Sequence, residues 1–184
     1  LVSNYSQFVA PNLTSMGFDI KFYGFVTAGA SLGELFGSRL IAFFIKKYSK
    51  SDATYLKKEK SSFYNIEMLF IFALATLMSI SILAYGKFAN IILCIIIYIV
   101  INLLSTMLNI LLNKQMNQVA NGANRATLLS VSNQLDEIIS VIFDPIIGFG
   151  LDVAGFGTVY VLLGLFSILL LGGIVFYYLI KLDK

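Results

Sequence analysis

Residues 124–150, NRATLLSVSNQLDEIISVIFDPIIGFG, decide the fold class, because this segment is long and apolar and yet carries three carboxylates. Asp136, Glu137 and Asp144 lie in a stretch long enough to cross a bilayer, which takes about 20 predominantly apolar residues as a helix. A carboxylate at the centre of a bilayer costs at least ~2.5 kcal/mol on insertion scales, so an acid there is a functional hypothesis by default. The segment therefore predicts a membrane helix with a role beyond anchoring.

The composition of the whole chain also indicates a membrane protein. Its 184 residues are 58% hydrophobic and 12% charged, against roughly 25% charged residues in an average soluble domain. Too few polar residues remain to cover a soluble fold, and those present are concentrated in short connections. The sequence predicts a polytopic membrane protein whose outer surface is covered by lipid.

The apolar stretches predict an all-α architecture. Membrane-spanning strands alternate apolar and polar residues over about 10 positions, and these stretches do not. Because the chain opens on Leu1 and on a short apolar remnant, we expect it to be the C-terminal part of a longer protein, with its first helix truncated. Residues 1–184 then form one six-helix unit. The predicted helices cover residues 1–10, 22–45, 66–85, 88–112, 126–150 and 158–180, with a basic cytoplasmic loop at 46–65.

The lysines predict the orientation of these helices. The loop at 46–65 carries six of them, and short loops rich in Lys and Arg stay in the cytoplasm. Alternation along the chain then places Lys114, Arg125 and the C-terminus inside, and Pro11–Asp19 in an outside turn. The predicted location is the cell membrane, with the chain crossing it several times and the C-terminus in the cytoplasm.

Polar residues at helical spacing predict which helices turn toward protein or water, because side chains at i, i+4 and i+7 share one face of a helix. The helices at 66–85 and 158–180 lack such stripes and are predicted to face lipid. The stripes comprise Asn4 and Gln7; Thr27, Ser31, Glu34 and Ser38; Asn102, Thr106, Asn109 and Asn113; and Asn133, Glu137, Ser140 and Asp144.

Small residues and a proline predict how the helices pack and bend. Gly29, Gly33 and Gly37 repeat every four residues, which lets another helix approach closely. Pro145 follows Asp144 and removes one backbone donor, so it should kink or loosen its helix toward the outer end. Such a kink can act as a gate.

The residue types present argue against several kinds of site. The chain has no His and a single cysteine, Cys94, so a zinc site, a Cys–His nucleophile or a disulfide framework cannot be built from it. We expect no metal and no cofactor. The net charge of +3 is interpreted as a topology signal rather than as a sign of nucleic-acid binding, because the lysines cluster in one connection.

The acid-bearing segment resembles a known family. RATLLSVS at 125–132, continuing through Gln134-Leu-Asp136 to Pro145-Ile-Ile-Gly148, is similar to the eleventh transmembrane helix of bacterial major facilitator superfamily transporters. Residues 4–33 resemble the seventh-to-eighth helix region of that family. The family's Gly-x-x-x-Asp-Arg-type loop motif is at best degenerate around residues 33–47, and Glu137 and Asp144 are additions to its usual pattern.

The resemblance implies that the chain is the C-terminal half, helices 7 to 12, of a twelve-helix secondary transporter. In that family the seventh and tenth helices line the central cavity, the eighth and eleventh lie between the halves, and the ninth and twelfth lie outside. The order of polar and peripheral helices here is the same, and it forms two three-helix units in succession, as in repeat-built transporters.

On this interpretation the protein works by alternating access and exports small organic or drug-like molecules in exchange for protons. Its expected partners are the missing N-terminal half, the lipid bilayer, a small-molecule substrate and protons. The proton-coupling or cation-binding candidates are Asp136, Glu137, Glu34 and Asp144; the substrate-cavity candidates are Gln7, Asn4, Asn102, Asn109 and Thr106; the gating or structural candidates are Arg125, Pro145, Gly29, Gly33 and Gly37.

The residues also leave other interpretations open. Each acid can instead cap or hydrogen-bond a neighbouring helix, and the asparagines can tie helices together. An intramembrane enzyme that uses the carboxylates is a second hypothesis, although Asp136 and Glu137 point about 100° apart on their helix. A membrane scaffold that transports nothing is a third.

Overall fold

The computed structural model describes residues 7–49, 60–119 and 125–182, and within these ranges the chain is helical with no strand. The predicted all-α architecture is confirmed for these residues. A 3-10 turn at Ile20–Phe22 separates the first two helices. The α-helices are α1 Val9–Ser15, α2 Tyr23–Ser49, α3 Lys60–Lys87, α4 Ile91–Val119, α5 Arg125–Ala154 and α6 Phe156–Leu182.

The first helix ends later than the sequence predicts. We expected it to end at residue 10 and to be followed by a turn, but α1 continues to Ser15. Pro11 is tolerated because it lies in the first helical turn, where the backbone N–H has no partner within the helix in any case. The chain reverses at Gly17, whose φ is 91°. Residues 1–6 of the predicted helix lie outside the described ranges.

The helices that flank the basic loop are also longer than predicted. The loop was placed at 46–65, whereas α2 continues to Ser49 and α3 begins at Lys60. Each residue added to an existing helix gains one backbone hydrogen bond, so a helix extends readily beyond its apolar part. Residues 50–59 of the predicted loop lie outside the described ranges.

Four helical stretches are long and apolar enough to cross a membrane. They are Ile20–Lys46, Glu67–Lys87, Ile91–Gln118 and Phe156–Val175. The described chain is therefore a helical membrane protein on length and composition. The stretch at 126–150, which we also predicted as an apolar span, is not among the four, because Asn133, Gln134 and the acids lower its hydropathy.

The helices pack in the order α2, α4, α3, α6, α5, and the α3–α6 and α2–α4 pairs have the largest contacts. We predicted that α3 faces lipid, but it lies inside this row, with α4 on one side and α6 on the other. Its outward side carries Leu69, Leu77 and Ile80. The sequence did not reveal this position, because the predicted span at 66–85 carries no polar stripe that would mark the side packed against other helices.

Glycines allow the closest helix contacts. A Cβ added at Gly37 of α2 would lie 2.7 Å from the carbonyl oxygen of Leu103 in α4, and one at Gly33 would lie 3.0 Å from that of Ile99. A Cβ added at Gly86 of α3 would lie 2.7 Å from the carbonyl oxygen of Gly157 in α6. Because backbone atoms occupy this space, a side chain fits at none of the three positions.

We predict that Gly37→Ala destabilises the full-length protein by about 1–3 kcal/mol, the usual effect of overpacking, because the new methyl group would meet the Leu103 carbonyl. The measurement is the thermal melting of the detergent-purified protein. Gly24→Ala in the same helix is the matched control, since a Cβ there meets no atom within 4 Å. Equal melting temperatures for the two variants would contradict the proposed contact.

Candidate functional site

Helix α5 is attached to the rest of the bundle along one narrow strip. Its residues Phe143, Ile147 and Leu151 repeat every four positions and pack against Phe156 and Val159 of α6. On its other sides α5 is largely uncovered by the described chain. The exposed apolar residues there are Leu128, Val131, Leu135, Ile138, Val141, Ile142, Ile146, Phe149 and Val153.

The predicted polar stripe lies on this weakly attached helix. Because α5 is helical throughout, Asn133, Glu137, Ser140 and Asp144 follow one another along one side of it. Asn133 and Glu137 are exposed, whereas Ser140 and Asp144 are half-buried. The spacing in the sequence thus translates directly into a polar strip on the helix surface.

The two central acids are not buried within the described chain. We expected Asp136 and Glu137 to be covered carboxyls, but both are exposed, because no described helix packs against that side of α5. The Ser140 hydroxyl donates a hydrogen bond to the backbone carbonyl of Asp136, at 2.9 Å, and not to its carboxylate. Neither carboxylate is covered by the described chain.

Glu137 lies at the edge of a groove of about 350 Å³, to which α5 contributes Gln134, Glu137, Ile138, Val141 and Ile142. That volume is near the lower end of the range of small-molecule sites, roughly 300–1,000 Å³. Three of these side chains are apolar, one is an amide and one is a carboxylate. Such a lining can hold an apolar group beside a proton or a cation.

Asp144 occupies a different environment farther along α5. Its Oδ1 atom is buried and has no hydrogen-bond partner in the described structure. The next residue, Pro145, lies inside the continuous helix, and its missing N–H leaves the Val141 carbonyl without the usual helical donor. Leaving a buried polar atom unpaired is costly, so this oxygen needs a hydrogen-bond donor that the described part of the chain does not supply.

The remaining predicted candidates are not gathered at the groove. Glu34 is exposed on α2 and forms no salt bridge with another described residue. The Asn102 side chain donates to the Tyr98 carbonyl of its own helix, at 2.8 Å. Thr106 is half-buried and Asn109 is exposed on α4, and neither lines the groove.

Two other candidates lie at the margins of the described chain. Gln7 is exposed, and Asn4 precedes the described residues. Arg125 begins α5, but its side chain is outside the part of the chain that the structure describes. Among the predicted site residues whose side chains the structure describes, Asp136 and Glu137 are the exposed acids of α5, and Glu137 lines the groove.

An ion pair between α3 and α4 was not predicted from the sequence. Glu67 is 8% exposed and accepts a hydrogen bond from the ammonium group of Lys114. Sequence reasoning placed Lys114 in a connection and passed over Glu67. In the sequence, Glu67 and Lys114 each continue a row of apolar residues at helical spacing. This spacing was the only feature that indicated a buried position for the two charges.

A buried polar cluster at the opposite end of the helices was missed as well. Asn12 of α1 is 2% exposed, and its side chain lies close to the hydroxyl of Tyr85 in α3. Tyr85 packs edge-on against Tyr160 of α6, with the ring centroids 4.9 Å apart. Tyrosines near the ends of membrane helices usually lie at the membrane surface, so sequence position alone suggested exposure for residues that are in fact buried.

No known protein family, curated protein or solved structure matches this chain. The resemblance to the major facilitator superfamily therefore stays a prediction. The site is defined by the chain's own geometry, which places two exposed acids and a groove on the most loosely attached of the long helices.

We predict that position 137 is reached by water and position 147 is not. In a full-length Cys94→Ser protein, Glu137→Cys should react with a membrane-impermeant maleimide, because thiols react as thiolates in water. Ile147→Cys is the matched control on the same helix and should stay unreactive, since Ile147 is 6% exposed. The measurement is the labelled fraction in intact membrane vesicles. If Glu137→Cys is as unreactive as the control, the groove is closed to water.

Proposed function

We propose that this chain is the C-terminal six-helix half of a secondary transporter of the major facilitator type, which works by alternating access in the cell membrane. The observation that carries the proposal is α5, a 30-residue helix that presents Asp136, Glu137 and a groove on an uncovered side of an otherwise apolar bundle. Intramembrane acids that face a cavity are typical of proton and ion pathways.

The shape of the packed row supports the need for a second half. Helices α2 and α5 lie at its two ends, and each has a broad uncovered side. That of α2 combines Glu34 with large apolar residues such as Phe25, Leu35 and Phe36, all more than half exposed. A second bundle placed against these sides would cover the apolar residues and enclose the acids between the two halves, where such transporters hold their substrates.

Proton coupling follows from covering and uncovering the acids. A carboxylate in contact with water is stable as an ion, but covering it removes that water and disfavours the charged form. A proton therefore binds before the second half covers Glu137 and leaves when the site opens again. Gln134 and the apolar wall of the groove can hold a small organic molecule while this happens. We assign no catalytic reaction to the acids.

Residues farther along α5 would transmit the movement. Pro145 removes a helical hydrogen bond, and Gly148 adds no side chain to resist bending, so this part of the helix is the easiest to bend. Asp144, with its buried and unpaired oxygen, lies directly before the proline. Bending here would change the surroundings of Asp144 and the angle of the groove together.

The test is proton-driven transport by the full-length protein in inverted membrane vesicles, with ethidium as the fluorescent probe. We predict that Asp136→Asn combined with Glu137→Gln lowers the proton-driven rate about 100-fold, the order of loss expected when a proton-transfer group is removed. The protein should still fold, because both side chains are exposed.

Asp152→Asn is the matched control, since Asp152 is another exposed acid of α5 beyond the groove. It should transport at the natural rate. Undiminished proton-driven transport in the double variant would remove the proposed mechanism. A full-length protein that moves neither ethidium nor a wider panel of small organic molecules would favour a scaffold instead.

A further inference from the structure

The ion pair between Glu67 of α3 and Lys114 of α4 is the interaction that the proposed function leaves unexplained. Both residues lie within candidate membrane spans, near the lysine-rich end of the helices. The side chain of Glu67 is 10% exposed and that of Lys114 is 25% exposed. Charges withdrawn this far from water are costly unless they are paired, so their position needs a reason.

Both charges occupy core positions of the two helices. Each continues a row of buried residues at intervals of three or four, the spacing of side chains that face a neighbouring helix. The rows consist of Glu67, Ile71, Leu74, Met78, Ile82 and Tyr85 in α3, and of Cys94, Tyr98, Ile101, Leu104, Met107 and Leu111 in α4, followed by Lys114.

The short connection at residues 88–90 holds α3 and α4 together at one end, but nothing comparable fixes their alignment at the Glu67 end. The α2–α4 and α3–α6 pairs are held by glycines that press against specific backbone atoms. No described glycine makes such a contact between α3 and α4. Toward the ion pair both rows consist of Ile, Leu and Met, so a shift by one helical turn at this end, about 5.4 Å, would replace one apolar layer by a similar one.

We propose that the Glu67–Lys114 pair fixes the register of α3 against α4. A single polar pair in an apolar helix interface is known to select one alignment, because every other alignment leaves a charge buried and unpaired. The pair thereby joins the two glycine-packed helix pairs, α2 with α4 and α3 with α6, in one relative position. This role depends on the helix contact alone and does not require the protein to be a transporter.

The alignment can be measured by disulfide formation. Because α3 and α4 run in opposite directions and Glu67 meets Lys114, we expect Ile71 to lie beside Leu111 in the next layer and to meet Met107 only after a shift of one turn. Disulfides form only when the Cα atoms are within about 7 Å. The background is the full-length protein with Cys94→Ser, in which the serine keeps a donor for the Phe88 carbonyl that Cys94 contacts.

In this background, oxidation in native membranes should cross-link Ile71→Cys with Leu111→Cys and not Ile71→Cys with Met107→Cys. With Glu67→Leu and Lys114→Leu together, the apolar seam stays intact but both cross-links should form. The exchanged pair, Glu67→Lys with Lys114→Glu, should give the natural pattern. Double variants are used because a single substitution would leave one charge buried without its partner.

Lys87→Leu is the matched control, because Lys87 is an exposed lysine at the other end of α3, and it should leave the pattern unchanged. The proposal is overturned if the double leucine variant keeps the natural cross-linking pattern. It is also overturned if the exchanged pair behaves like the double leucine variant.

Discussion

The close approach of backbones at glycines is the contact on which the rest of the structure depends. Gly33 and Gly37 hold α2 against α4, and Gly86 holds α3 against α6. Lipid is as apolar as these helices, so close packing rather than the hydrophobic effect must hold them together. Since α5 takes no part in these contacts and rests on α6 through a small patch, its acidic side stays uncovered. The glycine contacts thus explain why α2, α3, α4 and α6 pack closely, and their absence from α5 explains why one side of α5 stays uncovered by the described chain.

Polar groups within this apolar bundle differ in whether their hydrogen bonds are already used. Some are satisfied by their own helix, as Ser79 is by the Ala75 carbonyl. Others are paired across helices, as Glu67 is with Lys114. Asp136 and Glu137 belong to neither kind and remain exposed. Groups whose hydrogen bonds are already used stabilise the fold, and groups left open are available for exchange with water or substrate.

The sequence predicted those features that depend on one helix at a time. Apolar length predicted the helices, four-residue spacing predicted the glycine face of α2, and the same rule predicted the polar strip of α5. Features that depend on two helices were missed. The sequence did not reveal that α3 lies inside the row, because no polar stripe marks its packed side. It did not reveal the Glu67–Lys114 pair, because the two residues are far apart in the sequence and no local spacing links them. The burial of Tyr85 was missed for the same reason, because the helices that cover it, α1 and α6, come from distant parts of the chain.

The proposed function requires Asp136 and Glu137 to exchange protons with water from within the membrane bundle. Infrared difference spectroscopy of the full-length protein in lipid bilayers tests this directly, since protonated and ionised carboxyls absorb at different frequencies. Titration of the bathing solution should produce a carboxyl band that disappears when Asp136→Asn and Glu137→Gln are introduced together. Identical titration spectra for the natural protein and this variant would contradict the account.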